Sequence, residues 1–153
     1  MVKKPRTVLT SGVFDLIHPG HIFLLRFAKR LAGRDGRLIV VVARDETVYR
    51  RKGRKPILSE KDRLRIVGSI RYVDKAVLGF RPLSYEKIIK KYKPDIVVFG
   101  YDQREIMKGF REEAMRHRWG VKIVKAPALM SGRRYSTTTL INKAQNLRIA
   151  RKK

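Results

Sequence analysis

Five short segments rich in β-branched residues punctuate the chain, Thr7–Thr10, Leu38–Ala43, Val73–Leu78, Ile96–Gly100 and Val121–Val124, and Leu38–Ala43 and Ile96–Gly100 are apolar throughout. Such runs need cover on both faces, which is a property of parallel strands. Parallel strands must be joined by crossovers, and the segments between the runs have helical periodicity. Leu24, Phe27, Ala28 and Leu31 share one helical face, as do Tyr85, Ile88, Ile89 and Tyr92. Local signals agree. Gly33–Gly36 reads as a turn, and Pro94-Asp95 ends a helix. Ser59 and Ser84 are N-caps, with Glu60, Asp62 and Arg63 in the first turn after Ser59. There, Leu64 and Val67 point inward, with Ile66 and Ile70 on a neighbouring face. A further helix is expected over about 104–119. A last one starts at Ser136 or Thr137 and places Leu140, Ile141, Ala144 and Leu147 on one face. The expectation is an α/β fold: a Rossmann-like open parallel sheet with helices on both faces.

At 153 residues with 43% apolar content, the chain is long enough for one domain with a real core. We expect that domain over 1–149, with a disordered basic tail over 150–153. There is no Cys, so neither a disulfide framework nor thiolate chemistry is expected. No apolar run is long enough for a membrane helix, and the N-terminus has no signal-peptide h-region. A cytoplasmic protein is the expectation.

The first strand-to-helix junction concentrates the chemistry. It reads Thr10-Ser11-Gly12-Val13-Phe14-Asp15-Leu16-Ile17-His18-Pro19-Gly20-His21. A helix start offers unpaired N–H groups and a partial positive charge, which suits phosphate. Gly12 and Gly20 leave room for close approach of an anion to the backbone. His18 and His21 add two imidazoles that can donate to phosphoryl oxygens. Their spacing of three is not the i, i+4 pair of a helical zinc motif, and no Cys completes a tetrahedral set, so no metal site is assigned to the protein. The dinucleotide fingerprint Gly-x-Gly-x-x-Gly and the P-loop Gly-Lys-Ser/Thr are both absent.

The formal charge of +25 comes from 38 Lys and Arg against 13 Asp and Glu. Such a field attracts anions, nucleic acid included. Two clusters stand out. Arg50-Arg51-Lys52-Gly53-Arg54-Lys55 reads as a flexible loop overhanging the carboxyl edge of the sheet. From Arg133 to Lys153 there are seven basic residues and no acidic one.

The string Gly-x-Phe-Asp-x-x-His-x-Gly-His resembles the signature of the cytidylyltransferase-type (HIGH-type) nucleotidyltransferases. Val42–Thr47, Lys52–Pro56, Ser59–Arg63 and Pro94–Gln103 look most like archaeal FAD synthases. Ser136-Thr137-Thr138 resembles the Ile-Ser-Thr-Thr element of glycerol-phosphate cytidylyltransferases and heptose-phosphate adenylyltransferases. The resemblance implies transfer of AMP from ATP to FMN, with Mg²⁺ bound through the triphosphate. It implies catalytic roles for His18, His21 and Arg63. Ser11, Gly12, Val13, Phe14, Pro19, Gly20, Lys52, Arg54, Gly100, Asp102, Tyr135, Ser136 and Thr137 would join the two histidines in binding the nucleotide. Asp15, Asp45 and Lys55 would bind the acceptor. Tyr135 replaces the usual Ile. An arginine common five residues before the Ser is Ser131 here, and Arg133 or Arg134 is the candidate to replace it.

Two alternatives remain at this level. One is a cytidylyl- or adenylyltransferase acting on glycerol phosphate or a sugar phosphate. The other is a nucleic-acid-binding module of the same fold, which the charge raises. Intact His18 and His21 argue against it, as does the lack of an interleaved aromatic and basic platform. A homodimer is the expected assembly by family analogy alone.

Overall fold

The computed structural model describes residues 4–129 and 135–150. Ser131, Arg133, Arg134 and residues 151–153 of the basic tail lie outside them. The elements alternate: β1 (Thr7–Gly12), α1 (Pro19–Ala32), β2 (Arg37–Val42), α2 (Asp45–Lys52), α3 (Glu60–Gly68), β3 (Lys75–Leu78), α4 (Tyr85–Tyr92), β4 (Ile96–Phe99), α5 (Arg104–Arg116), β5 (Lys122–Lys125) and α6 (Thr137–Ala150). The strands form one parallel sheet in the order β3-β2-β1-β4-β5.

The apolar runs fold as their composition requires. Every residue of β2 after Arg37 is buried, and β4 is buried throughout. Alternate side chains feed two cores. Val8, Val40, Val42, Ile96 and Val98 pack with Leu25 and Ala28 of α1 and Val67 of α3. Leu9, Val41, Val97 and Phe99 pack on the other face with Ile88 of α4, and Phe110 and Ala114 of α5. The caps form as read: Ser59 accepts from the Asp62 N–H and Ser84 from the Lys87 N–H. Ser136, rather than Thr137, caps α6, accepting from the Thr139 N–H at 3.0 Å.

Four expectations need correction. Arg50, Arg51 and Lys52 are not in a loop. They form the last turn of α2, where cations favour the helix dipole, and Gly53 ends that helix in the left-handed conformation. Helix α5 stops at Arg116, because Arg118 turns left-handed and Trp119 folds back to donate to the Ala114 carbonyl and pack 5.6 Å from the Phe110 ring. The face of α6 expected to be inward is only half used. Leu140 and Ile141 are half-buried, but Ala144 is exposed and Leu147 is 61% exposed. Ala150, assigned to the tail, ends this helix.

The strand order places the site. β1 leads to α1 on one face and β4 leads to α5 on the other. The adjacent carboxyl ends of β1 and β4 therefore diverge and leave a crevice, the place where open α/β sheets bind ligands.

Fully buried Leu25 and exposed Leu147 test this packing. Leu25→Ala should cost about 2–5 kcal/mol in urea unfolding, whereas Leu147→Ala should stay within about 0.5 kcal/mol of the parent.

Candidate active site

A cavity of about 610 Å³ occupies that crevice, a size that encloses small ligands. Ser11, Gly12, Val13 and Phe14 reach it from β1, and Gly100, Asp102 and Gln103 from β4. His18, Gly20 and His21 line it from the start of α1. Lys52, Arg54 and Lys55 line it from the end of α2 and the segment beyond. Tyr135, Ser136, Thr137 and Thr138 line it from the start of α6. Most of the residues expected to bind a nucleotide thus converge from distant parts of the chain. Pro19 is exposed at the first helical position and does not line the cavity.

The imidazoles of His18 and His21 stack with centroids 3.8 Å apart. Phe14 holds the outer side of His21, its ring tilted 5.1 Å away. Phe14 is buried and sits at φ 52°, a left-handed conformation disfavoured for a bulky residue. The glycines serve these rings. A Cβ on Gly12 would come within 2.9 Å of the Phe14 ring, and one on Gly20 within 3.0 Å of the His18 ring. Their lack of a side chain makes room for the aromatic packing.

The site is built for an anion. The Nδ1 atoms of His18 and His21 are both buried without a hydrogen-bond partner among the described residues. Burial lowers the His18 pKa, against the opposing pull of the Asp102 carboxylate. Burial also lowers that of His21, to about 4, helped by the stacked His18 and by Lys52 and opposed by the Leu16 carbonyl. Helix α1 carries no acidic residue in its first turn, and neither does α6. Both N-termini open into the cavity, so their partial positive charge stays uncompensated.

Arg63, Asp45 and Asp15 make hydrogen bonds within the protein, and of the three only Asp15 also lines the cavity. Arg63 has no solvent exposure and does not line the cavity. Its guanidinium donates to the carbonyls of Leu58 (3.1 Å), Val13 (2.6 Å) and Ala43 (2.8 Å) and to Asp45 Oδ1 (2.6 Å). Asp45 is thereby tied to Arg63, and its other oxygen accepts from the Glu60 N–H. Asp15 accepts from the N–H groups of Ile57 and Leu58, each at 2.8 Å. These carboxylates fasten the chain beyond α2 against the β1 loop.

Sequence reasoning missed two further positioning groups. Gln103 spans the crevice: its Oε1 accepts from the Gly100 N–H at 2.7 Å and its Nε2 donates to the Ser11 carbonyl at 3.0 Å. Arg44 donates to the Gly79 carbonyl and to Glu60, which also pairs with Arg81. Gln103 stands beside Asp102 in a noticed string, but one residue's neighbours do not reveal partners 92 positions away.

The cytidylyltransferase-like family model matches residues 9–143. The FAD synthase of Korarchaeum cryptofilum is 46% identical over 127 residues, which is 83% of this chain and 85% of that protein. The FAD synthase of Methanothermobacter thermautotrophicus is 39% identical over 142 residues, 93% of each chain. Among solved structures, a lipopolysaccharide core biosynthesis protein from Thermoplasma volcanium superposes with a TM-score of 0.71 at 37% identity, covering 80% of this chain and 96% of that one.

Arg63→Met removes the ion-pair partner of Asp45 and the donor held by three carbonyls. It should lower stability by about 3–5 kcal/mol in urea unfolding. An effect on substrate KM alone, at parental stability, would place Arg63 in the cleft instead. His21 stays neutral in the folded protein down to about pH 4, against 6.5 in the unfolded chain. Between those values the unfolded state binds more protons, so stability falls as pH drops from 6.5 towards 4. The loss amounts to about 3 kcal/mol. Unfolding curves of His21→Gln across the same range should lack that part of the decline; coincident slopes would refute the buried neutral ring.

Proposed function

The chain belongs to the cytidylyltransferase-like family, among the archaeal FAD synthases, and from that premise we propose how its cleft works. It transfers the AMP moiety of ATP to FMN, giving FAD and pyrophosphate. An oxygen of the FMN phosphate attacks the α-phosphorus of ATP. A new P–O bond forms as the bond from the α-phosphorus to the bridging oxygen breaks, and the electron pair leaves with pyrophosphate. The nucleophile is already an anion at neutral pH, so no general base is required. Catalysis rests on positioning and charge stabilisation.

The observation that carries this reading is the stacked His18–His21 pair at the uncompensated start of α1. A neutral imidazole has one N–H to donate, and the oxyanions of a triphosphate are the acceptors this corner lacks. Charge arriving there also favours protonation of His21, which strengthens the contact. Lys52, Arg54 and Lys55 reach the same cavity and neutralise phosphate charge. Gly100, Asp102, Tyr135, Ser136 and Thr137 shape the side that takes the adenosine. Arg63 acts as a positioning residue beneath the cleft, together with Asp45 and, from the cavity wall, Asp15.

Among the described residues no three His, Cys, Asp or Glu side chains come together as a metal cage, and Asp15 and Asp45 are already bonded. A Mg²⁺ entering with the triphosphate would be held beside His18, His21 and Lys52 through the phosphates. When bound, Mg²⁺ would supply charge neutralisation to the phosphates, alongside Lys52, Arg54 and Lys55.

The test is product formation with Mg²⁺, FMN and either ATP or CTP. FAD should appear with ATP. His18→Ala and His21→Ala should each lower kcat by roughly 10²–10³-fold with the fold retained. Full activity in His21→Ala would refute the assigned role. Pyrophosphate release only with glycerol phosphate or a sugar phosphate would move the acceptor away from FMN.

A further inference from the structure

The excess positive charge is not spread evenly over the helices. Helices α2, α3, α4 and α5 each set a carboxylate beside one of their own cations, in the pairs Arg50–Glu46, Arg65–Asp62, Lys90–Glu86 and Arg116–Glu113. Helix α1 has no such carboxylate, because no Asp or Glu stands between Asp15 and Asp35. Helix α6 has none either, since no acidic residue follows Glu113 in the chain. The two acid-free helices start side by side, with the Tyr135 carbonyl against Gly20. Arg26 and Arg30 of α1 are exposed and have no ion-pair partner among the described residues.

A groove of about 430 Å³ runs along α1 past these arginines, walled by Phe23, Arg26, Phe27, Arg30 and Leu31. The first four fall at i, i+3, i+4 and i+7, so the helix interleaves two phenyl rings with two guanidiniums on one face. The linear sequence hides this platform, because Leu24, Leu25, Ala28 and Lys29 stand between its members. Phe27 and Leu31 pack against the core beneath α1, which fixes the floor of the groove before a ligand arrives. Phe23 also lines the cleft, so the groove leads away from the edge of the cleft along the helix.

We propose that this groove binds single-stranded nucleic acid, with bases against Phe23 and Phe27 and phosphates on Arg26 and Arg30. Stacking on aromatic rings and positive charge along the backbone are the two terms that hold single strands without regard to sequence. Arginine serves both, by pairing with phosphate and by stacking on bases. The two rings and Leu31 are half-buried, whereas the arginines are exposed. The apolar floor is therefore recessed behind the charges. A flat base can enter between them, but a bilayer, which needs apolar side chains that protrude, is held off. A second copy of this chain would bring +25 against +25, so like charge opposes self-association here. Arg26 and Arg30 do not line the cleft, so the occupant of the groove does not depend on which acceptor the cleft takes.

The experiment titrates the full chain into a fluorescein-labelled RNA of mixed sequence, roughly 12 nucleotides long, and follows anisotropy at several salt concentrations. The parent should bind this strand, and should bind its duplex more weakly. Arg26→Gln/Arg30→Gln should weaken binding at least roughly tenfold and make the log–log salt dependence shallower by about 1.4. Lys108→Gln/Arg111→Gln removes the same charge from exposed positions of α5, on the other face of the sheet, and should change affinity by less than about twofold. Phe27→Leu keeps an apolar side chain on the core and should weaken binding at least roughly fivefold with the salt dependence unchanged. Equal losses in the two charge variants overturn the groove and leave only the diffuse field of the chain. Equal affinity for duplex and single strand overturns it as well. So does binding of poly-glutamate or of phosphatidylglycerol vesicles that matches RNA and is lost in the same variants. Urea unfolding and FAD formation should be unchanged in Arg26→Gln/Arg30→Gln; a loss of either would give the two arginines to the fold or the cleft instead.

Discussion

A single guanidinium with no exposure to solvent sits beneath the cleft, and the loops above it depend on it. Arg63 donates to carbonyls of the β1 loop, the end of β2 and the segment before α3, and to Asp45. A buried cation is costly unless every donor is used and its charge is paired. Here four of the five N–H donors are used and the charge is paired with Asp45, so the same cost that forbids an isolated charge forces these segments into one arrangement. Asp15 completes the clasp by accepting from Ile57 and Leu58. Val13, whose carbonyl Arg63 holds, directly precedes Phe14, and Phe14 packs against His21. The geometry of the phosphate cradle thus rests on an arginine that never faces the ligand.

The cradle works by withholding compensation. Two helix N-termini open into it without an acidic side chain, two imidazoles lose their solvent, and the nearby cations are lysines and arginines with exposed side chains. Each of these conditions is unfavourable without an anion and is relieved by one. The overall charge of +25 adds a long-range attraction for the same kind of ligand.

Much of this was legible along the chain because the signals were local. Apolar runs and helical periods gave the alternation, Ser59 and Ser84 gave caps, and His18, Gly20 and His21 lay within four residues. The hydrogen bonds that Arg63, Asp15 and Asp45 make within the protein were not legible, for a definite reason. A charged residue near a phosphate motif has the same local sequence whether it faces the ligand or turns beneath it. Arg50–Lys52 was misread because α2 buries only Val48 and so has almost no apolar stripe to announce it. The acidic start and basic end of Asp45–Lys52 were its remaining helix signals.

The sequence by itself determined a parallel α/β sheet with an anion-binding turn after its first strand. Both follow from interactions within a few residues: burial of β-branched runs, helix periodicity, capping, and the placement of glycine and histidine at one helix start. Tertiary structure alone decided which strand neighbours β1, and hence where the crevice opens. It also decided which charged groups face solvent, which are consumed as clasps, and which side chains line the cavity. Those outcomes turn on hydrogen bonds between residues as far apart as Gln103 and Ser11, and on desolvation at the meeting of several elements. Burial of that kind belongs to the packed arrangement, and no stretch of the chain carries it alone.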